Sequence, residues 1–318
     1  MTRCLIFLVL LAFANAANAQ TDQFVGRWAV HAEGQTLTII EITQVGDKLI
    51  ANITTPQKGY INQTHVAVDV GGPPKTTKLL ETSRADNRVE FAPANESKDV
   101  QVITLAEPGY LTLGYKSARS FEPILFVPAR KDEQISTDWS WKTDWILSDR
   151  WPDNADVARL FDEDQAIRQD VSKIDWNVAR VQDAKRREAT QKLLDDGKLR
   201  SGTDFYNAAF IFQHGDQPGD FLKAHGMAVI AAAKGRRDAV WIAAATLDRY
   251  LQNIEKPQIY GTQYRIPTNE PVTQEPYDRS VLSDAMRSAS GVPDLAAQEQ
   301  RRLEMEAEST KRNSAPNK

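Results

Sequence analysis

The fold of the first half of the chain is decided by the stretch TLTIIEI, residues 36–42, and by the stretch LIANIT, residues 49–54. Both stretches are rich in β-branched residues and alternate between apolar and polar positions, which is typical of strands with one buried face. Between them lies Val45-Gly46-Asp47-Lys48, which carries a tight-turn signal. The two stretches are therefore predicted to be successive strands joined by a short turn.

Further short strand patterns follow at regular spacing and are separated by turns rich in glycine and proline, such as Gly71-Gly72-Pro73-Pro74. Eight or nine short strands in this arrangement are typical of an antiparallel meander that is closed, or nearly closed, into a barrel. We therefore predict an antiparallel β-barrel at residues 20–130. The later strand patterns cover residues 65–70, 76–80, 88–91, 99–105, 110–115 and 123–127.

The tripeptide Gly26-Arg27-Trp28, which precedes the first strand pair, resembles the G-x-W opening of lipocalin-type barrels. The resemblance implies a lipocalin-like meander in which the tryptophan closes one end of the barrel. A small apolar or peptide-like ligand is expected if the barrel keeps an internal cavity. Small barrels can also be filled by their own side chains, and the sequence leaves both alternatives open.

The first residues have the three parts of a secretory signal peptide. Arg3 supplies a positive charge, residues 5–13 are apolar, and Ala17-Asn18-Ala19 is a cleavage signature. The apolar stretch is shorter than the roughly 20 residues that a transmembrane helix needs, and no second such stretch follows. We expect residues 1–19 to be removed and a soluble, periplasmic or secreted protein to begin at Gln20.

Composition excludes several classes of function. The single cysteine, Cys4, lies in the predicted signal peptide, so the mature chain has no disulfide, no thiolate nucleophile and no cysteine metal ligand. The formal net charge of −4, without a concentrated basic face, argues against a nucleic-acid partner. Established nucleophile, zinc-protease, P-loop and dinucleotide motifs are missing from the sequence, so no cofactor and no metal are predicted. The oligomeric state is left open.

Residues 131–151 are predicted to be a tryptophan-rich connector, since they hold four of the seven tryptophans: Trp139, Trp141, Trp145 and Trp151. Tryptophan is costly to leave in water, so we expect this segment to pack at the domain boundary; a stacking site for sugars or other rings is the alternative. An all-α helical domain is predicted at residues 152–293, and a C-terminal helix with a disordered tail at 294–318. The helices are expected to start near residue 152 and to cover 176–194, 203–214, 219–234, 238–254, 277–289 and 293–308.

Polar residues on apolar helix faces are the candidates for a site. His225 is spaced with Leu222 and Val229 along the fourth predicted helix, and Asp248 shares the face of Trp241 in the fifth, so both are expected to point inward. A buried carboxylate needs a partner, because an unpaired buried charge is very costly. His214 ends the third predicted helix, and the turn that follows could bring it near His225.

Five separated elements of this half together resemble the signature of an uncharacterised bacterial family, a domain of unknown function. The resemblance covers about residues 153–293. It implies that these polar residues belong together, but it implies no reaction, and its bacterial character favours the periplasm as the destination of the exported chain. The elements are Gln165-x-x-Arg168, Gln213-His214, Ala224-His225, Asp248-Arg249 and Gln258-Ile259-Tyr260-Gly261-Thr262-Gln263.

The first functional hypothesis is a binding or envelope-accessory protein with a polar cleft in the helical domain. The alternative is a hydrolase in which His214 or His225 acts as general base, Asp248 orients the imidazole, and an arginine binds an anionic substrate group. The third interpretation is a structural polar network in which Asp248 holds Arg168 or amides of residues 260–263. The candidate binding residues are Gln165, Arg168, Gln213, Arg249, Gln258, Tyr260 and Gln263.

A metal variant of the hydrolase would use His214, His225 and Asp248 as three ligands, with water in the fourth position. The spacing of these residues matches no standard zinc signature. For this reason the sequence does not predict a metal.

Overall fold

The computed structural model describes residues 22–93, 99–107, 109–118, 122–267 and 270–314. The chain divides into two compact units, Met1–Arg150 and Trp151–Lys318. The predicted signal peptide, residues 1–19, lies outside the described residues. In the part of the chain that is described, no helix combines the length and the apolar character needed to cross a membrane.

The first unit contains a closed antiparallel barrel, as predicted. Each strand pairs with the next along the chain, and the eighth strand pairs with the first, where Trp28 lies opposite Pro128. Within the described residues the barrel strands are β1 (Gly26–Ala32), β2 (Gln35–Val45), β3 (Lys48–Ile61), β4 (Val66–Ala85), β5 (Arg88–Pro93), β6 (Gln101–Glu107), β7 (Tyr110–Tyr115) and β8 (Ile124–Pro128).

Large apolar side chains fill much of the barrel interior, because alternate residues of each strand point inward. Ile40, Phe91 and Leu111 are each at most 1% exposed. Trp28 of the G-x-W tripeptide is buried in the same core, and its indole Nε1 donates a hydrogen bond to Phe24 O at 3.1 Å. The indole therefore buries its ring while its polar atom stays paired.

The prediction of separate strands at 65–70 and 76–80 was wrong, because β4 runs without a break from Val66 to Ala85. Its pairing with β3 continues through the proline pair, where Pro56 lies opposite Pro74, and the register shifts just beyond Pro56. Irregular pairing of this kind accommodates residues that cannot donate to the ladder. Glycine and proline therefore mark a β-bulge here and not a turn.

Residues 131–150 belong to the barrel unit. Trp139 and Trp145 are buried in the barrel core, with their ring centroids 4.8 Å apart in an edge-to-face arrangement. A short strand, β9 (Asp144–Ile146), pairs with the start of β4. Packing of the connector across the domain boundary stays a prediction.

The second unit is helical, as predicted, and its first three helices begin at polar caps. The side chains of Asn154, Asp175 and Ser201 accept hydrogen bonds from the first-turn amides of the first three helices. The helices are α1 (Ala155–Ala166), α2 (Trp176–Asp195), α3 (Gly202–Phe212), α4 (Pro218–Ala233), α5 (Ala239–Asn253), α6 (Asp284–Ala289) and α7 (Leu295–Ser314). Asp238 does not cap α5; its carboxylate instead binds Arg236 Nε at 2.7 Å.

Two helix predictions near the C-terminus were wrong. The helix expected at 277–289 is only α6, because the backbone of residues 277–278 pairs with Gln258 instead and Ser283 caps the helix later. The tail expected to be disordered from residue 309 is helical to Ser314, where α7 ends. Residues 315–318 lie outside the described part.

The buried face of α4 also differs from the prediction. Leu222 and Val229, expected to point inward with His225, are 46% and 49% exposed. The buried residues are instead Phe221, Ala224, Met227, Ala228 and Ala231. Small alanines allow α4 to approach its neighbours closely, so alanine and not the larger aliphatic residues marks the inner face.

Candidate functional sites

Helices α1 and α2 and the end of α3 bring together five ionisable side chains, which we call the charge cluster: Asp164, Arg168, Asp183, Arg186 and His214. Arg168 bridges the two carboxylates, with nitrogen–oxygen distances of 2.9 Å to Asp164 and 2.7 Å to Asp183. Arg186 lies 2.5 Å from Asp183 and 3.6 Å from Asp164. Two carboxylates and two guanidinium groups therefore neutralise each other.

The charge cluster is largely buried in the interior of the helical unit. Asp164 is fully buried, and Asp183 and Arg186 are 7% and 6% exposed. Burial by itself raises the pKa of Asp183, but hydrogen bonds from Arg168 and Arg186 outweigh burial and lower it. Asp183 therefore stays ionised and keeps both arginines in place.

His214 is the member of the cluster best placed for proton transfer. Its Nδ1 lies 3.1 Å from Asp164 Oδ1, and its side chain is 18% exposed. Arg187 on α2 donates to the backbone oxygen of His214 at 2.6 Å, which fixes the end of α3. A carboxylate at Nδ1 holds the hydrogen there and leaves Nε2 as the free basic nitrogen. Gln165 completes the surroundings of Asp164 by donating to its Oδ2 at 2.8 Å.

Arg249 on α5 approaches the charge cluster as an additional cation. Burial and the positive charge of Arg168 both lower the pKa of its guanidinium. Its Nε is buried without an acceptor, and none of the described residues forms an ion pair with it. Arg249 therefore differs from Arg168 and Arg186, which both have carboxylate partners.

Asp248, one residue earlier on α5, holds a loop in place. Its fully buried carboxylate accepts hydrogen bonds from the backbone amides of Ile259, Tyr260 and Thr262, at 2.8–3.0 Å, and from the Thr262 hydroxyl at 2.8 Å. The interpretation of Asp248 as part of a structural polar network predicts such contacts with the loop amides. The carboxylate partner of His214 is Asp164 and not Asp248.

Most of the other candidate residues lie around α5 and this loop. His225 Nδ1 donates a hydrogen bond to Ala243 O, 2.9 Å away, so this atom contacts α5 and not the charge cluster. Gln258 is fully buried and binds the backbone of Gln263 in both directions. Gln263 also reaches Ala245 O at 3.3 Å, while the Tyr260 carbonyl accepts from the Tyr277 hydroxyl at 3.1 Å. Gln213 is buried at the C-cap of α3.

The structure thus divides the predicted site residues into two groups. Gln165, Arg168 and His214 meet around Asp164, whereas Asp248, Gln258, Tyr260 and Gln263 build the loop and its anchor. Gln213 and His225 belong to neither group. Arg249 belongs to the same helix as the loop anchor, but its charge acts on Arg168 of the cluster.

Sequence reasoning missed the cluster members Asp183 and Arg186 and the part that Asp164 plays. Asp183 and Arg186 lie three residues apart on α2, a helix whose buried residues are Ala179, Asp183, Arg186 and Thr190. No apolar stripe distinguishes this face from the exposed one. The spacing of four residues predicts that Asp164 and Arg168 share one face of the first helix, but it does not identify Asp164 as the partner of His214.

A divalent cation does not fit the charge cluster well. Single ligand atoms of Asp164, Asp183 and His214 lie within 4.8 Å of one another, which is close enough for a shared ion. The carboxylate oxygens, however, already bind Arg168 and Arg186, and a cation would have to displace a guanidinium group. Among the described residues, the ligand atoms of His214, His225 and Asp248 do not lie together in this way, so they do not form the three-ligand set of the metal variant.

A second candidate site is a cavity of about 410 Å³ in the barrel. It reaches the surface, since its lining includes Tyr60 and Tyr115, which are 62% and 41% exposed. An adjoining cavity of about 520 Å³ shares both tyrosines. Thr38, Thr55 and Lys58 add polar groups to the lining of the cavity of about 410 Å³. Its apolar walls are Leu37, Ile53, Val70, Leu113, Ile124 and Phe126.

No model of a known protein family, no curated protein and no solved structure matches the chain. The resemblances to the uncharacterised bacterial family and to lipocalin-type barrels stay predictions that rest on the quoted residues.

Proposed function

We propose that this protein is an exported binding protein that holds a small, largely apolar ligand in the barrel cavity. The observation that carries the proposal is the cavity itself. Its volume of about 410 Å³ lies within the range of roughly 300–1,000 Å³ that is usual for small-molecule sites. Buried side chains such as Ile40, Phe91 and Leu111 fill much of the barrel interior beside it.

The lining favours a ligand with an apolar body and a polar or peptide-like end. Leu113 and Phe126, at 3% and 2% exposure, form buried apolar walls. Lys58 lines the same cavity, and no described carboxylate pairs with its ammonium group. An acidic or carbonyl group on the ligand would find its partner there, because a polar group at the edge of an apolar pocket fixes orientation.

Filling the cavity tests this proposal. Ile53 lies on its wall, and Ile53→Trp places an indole in the space, so we expect binding of the apolar fluorophore 1-aminoanthracene to weaken at least tenfold. The matched control is Ile146→Trp, since Ile146 is 55% exposed and is not part of the lining. Equal fluorophore binding by both variants and the wild type would remove the barrel cavity as the ligand site.

Export to the periplasm or beyond is part of the proposal. Its support is the charged, apolar and cleavage segments within residues 1–19. Mass spectrometry of the protein recovered from its native host should find Gln20 as the first residue, in an extracytoplasmic fraction. A cytoplasmic chain that retains Met1 would contradict export.

The second candidate function is hydrolysis in the helical unit, with His214 as general base. The specific observation in its favour is the His214–Asp164 pair, in which Asp164 orients the imidazole toward proton abstraction. We expect His214→Gln to abolish any cleavage of p-nitrophenyl acetate or p-nitrophenyl phosphate, while His225→Gln retains it. Wild-type rates equal to those of buffer with both substrates would eliminate this candidate.

A further inference from the structure

The charge balance around α5 is incomplete. Asp164 and Asp183 are matched by Arg168 and Arg186, and Arg249 adds a positive charge for which the described residues supply no carboxylate. A buried charge without a partner is strongly unfavourable, and proteins normally pair it or expose it. Arg249 does neither fully, since its Nε is buried and lacks an acceptor.

The neighbouring carboxylate in the sequence cannot serve as the missing partner. Asp248 directs both carboxylate oxygens to the loop, where four donors occupy them. Successive residues of a helix point about 100° apart, so Arg249 leaves α5 in a different direction. The Asp248 carboxylate is therefore not available to pair with the Arg249 guanidinium.

A second donor without an acceptor lies on the same face of α5. Gln252 Nε2 is buried and forms no hydrogen bond. Residues three apart on a helix are neighbours, so the Arg249 and Gln252 side chains occupy adjacent positions. Buried polar groups are nearly always satisfied, and two unsatisfied donors side by side indicate that an acceptor from outside the chain belongs there.

Several side chains in this region are partly exposed to solvent. Arg168 and His214, two members of the charge cluster, have side chains that are 16% and 18% exposed. Arg249 itself is partly exposed although its Nε is buried. An anion could therefore approach Arg249 from solvent and meet a preformed positive centre.

We propose that Arg249, supported by Arg168 and Gln252, binds the oxyanion group of a small ligand, a carboxylate or a phosphate, in the helical unit. A guanidinium group presents paired N–H donors that match the two oxygens of such a group. The amide of Gln252 donates to the same group, and Arg168 adds long-range attraction. This site requires neither the barrel ligand nor hydrolysis at His214.

Thermal unfolding and calorimetric titration of the full mature chain test the site, with inorganic phosphate and succinate as separate probes at constant ionic strength. We expect one of them to bind saturably and to raise Tm in the wild type. Arg249→Met should unfold at a higher temperature than the wild type without anion, because the unpaired charge is gone. It should also lose the anion-dependent shift and at least tenfold in affinity.

The matched control is Arg180→Met on α2, which removes an exposed arginine and should keep the wild-type response. Gln252→Leu provides a second variant that retains the charge, and we expect its affinity to fall severalfold; it decides the question if Arg249→Met does not fold. A response to phosphate alone assigns a phosphate ligand, and a response to succinate alone a carboxylate. Absence of saturable binding to both, or wild-type binding by Arg249→Met or Gln252→Leu, would overturn the proposal.

Discussion

Individual buried charges in this protein differ in how they are compensated. Asp248 receives four hydrogen bonds from one loop, so its burial stabilises the native structure. His31 on β1 is held between two carboxylates, with its Nε2 2.6 Å from Glu133 and its Nδ1 3.0 Å from Asp149. Because Glu133 and Asp149 belong to the segment 131–150, this histidine fastens that segment to the barrel.

The His31 contacts predict a pH-dependent stability of the barrel unit. The pKa of His31 is raised from 6.5 to about 9, mainly by its hydrogen bond with Asp149. Burial lowers the pKa, and the hydrogen bond with Glu133 raises it further. The protonated form is favoured by folding, so its contribution is complete below about pH 6.5 and is lost as the pH rises through about 9. It is on the order of 3 kcal/mol.

Urea unfolding monitored by tryptophan fluorescence between pH 6 and pH 9.5 measures this effect. The stability difference between the wild type and His31→Gln should be largest at pH 6 and should shrink toward pH 9.5. Parallel pH curves for the two proteins would contradict the role assigned to His31.

Replacing the loop anchor, Asp248→Asn, should destabilise the helical unit by about 2–4 kcal/mol. The amide side chain turns one acceptor into a donor that faces backbone N–H groups, and buried donors are left unsatisfied. Urea unfolding gives the magnitude, and hydrogen exchange should speed up at the amides of Ile259, Tyr260 and Thr262. Asp162→Asn, at an exposed position of α1, should change stability by less than about 0.5 kcal/mol; equal effects would refute the anchor.

At the scale of helices and strands, local signals predicted the elements better than their faces or ends. The alternation in β2 depends only on residues that are neighbours in the chain, so the strand was predicted from the sequence. The length of β4 depends on its pairing with β3, and the start of α6 depends on the pairing of residues 277–278 with Gln258. Such long-range contacts override local propensity.

The loop held by Asp248 gives a prediction about glycine. Gly261 has a φ of +84°, and a Cβ there would lie 2.7 Å from the Tyr277 ring, so Gly261→Ala should cost about 2 kcal/mol or more. Gly226→Ala in α4 is the matched control, because no atom lies within 4 Å of the added carbon. A helix-interior alanine should stabilise by about 0.5–1 kcal/mol. Denaturant unfolding of both variants measures the contrast, and changes of the same sign would show that the loop adapts.

At the scale of the whole molecule, the sequence predicted a barrel followed by helices because the hydrophobic period changes between the two halves. The polar site was only partly predictable. His214 and Arg168 were recognised, but the partner Asp164 was not distinguished from Asp248, since the choice depends on how α1, α3 and α5 pack. The part played by residues 131–150 in the barrel core was likewise set by contacts that no local pattern records.

The extent of the barrel unit predicts how fragments behave. A fragment of residues 22–150 should fold cooperatively, whereas one of residues 22–130 should not, because it lacks the buried Trp139 and Trp145 as well as Glu133. Loss of a single buried tryptophan side chain costs about 3–5 kcal/mol, a large part of the usual stability of a domain. Circular dichroism and thermal unfolding compare the two fragments; equal stability would show that the segment is dispensable.

The seam between β1 and β8 also has a consequence for the order of folding in time. All the other strand pairs of the barrel join strands that are consecutive in the chain. The pair β1–β8 instead joins Trp28 to Pro128, one hundred positions apart. Hairpins between adjacent strands form within microseconds, while distant contacts must first overcome the entropy of a long loop. The meander should therefore zip up progressively and close last at the seam, where Trp28 becomes buried as the final event of barrel formation.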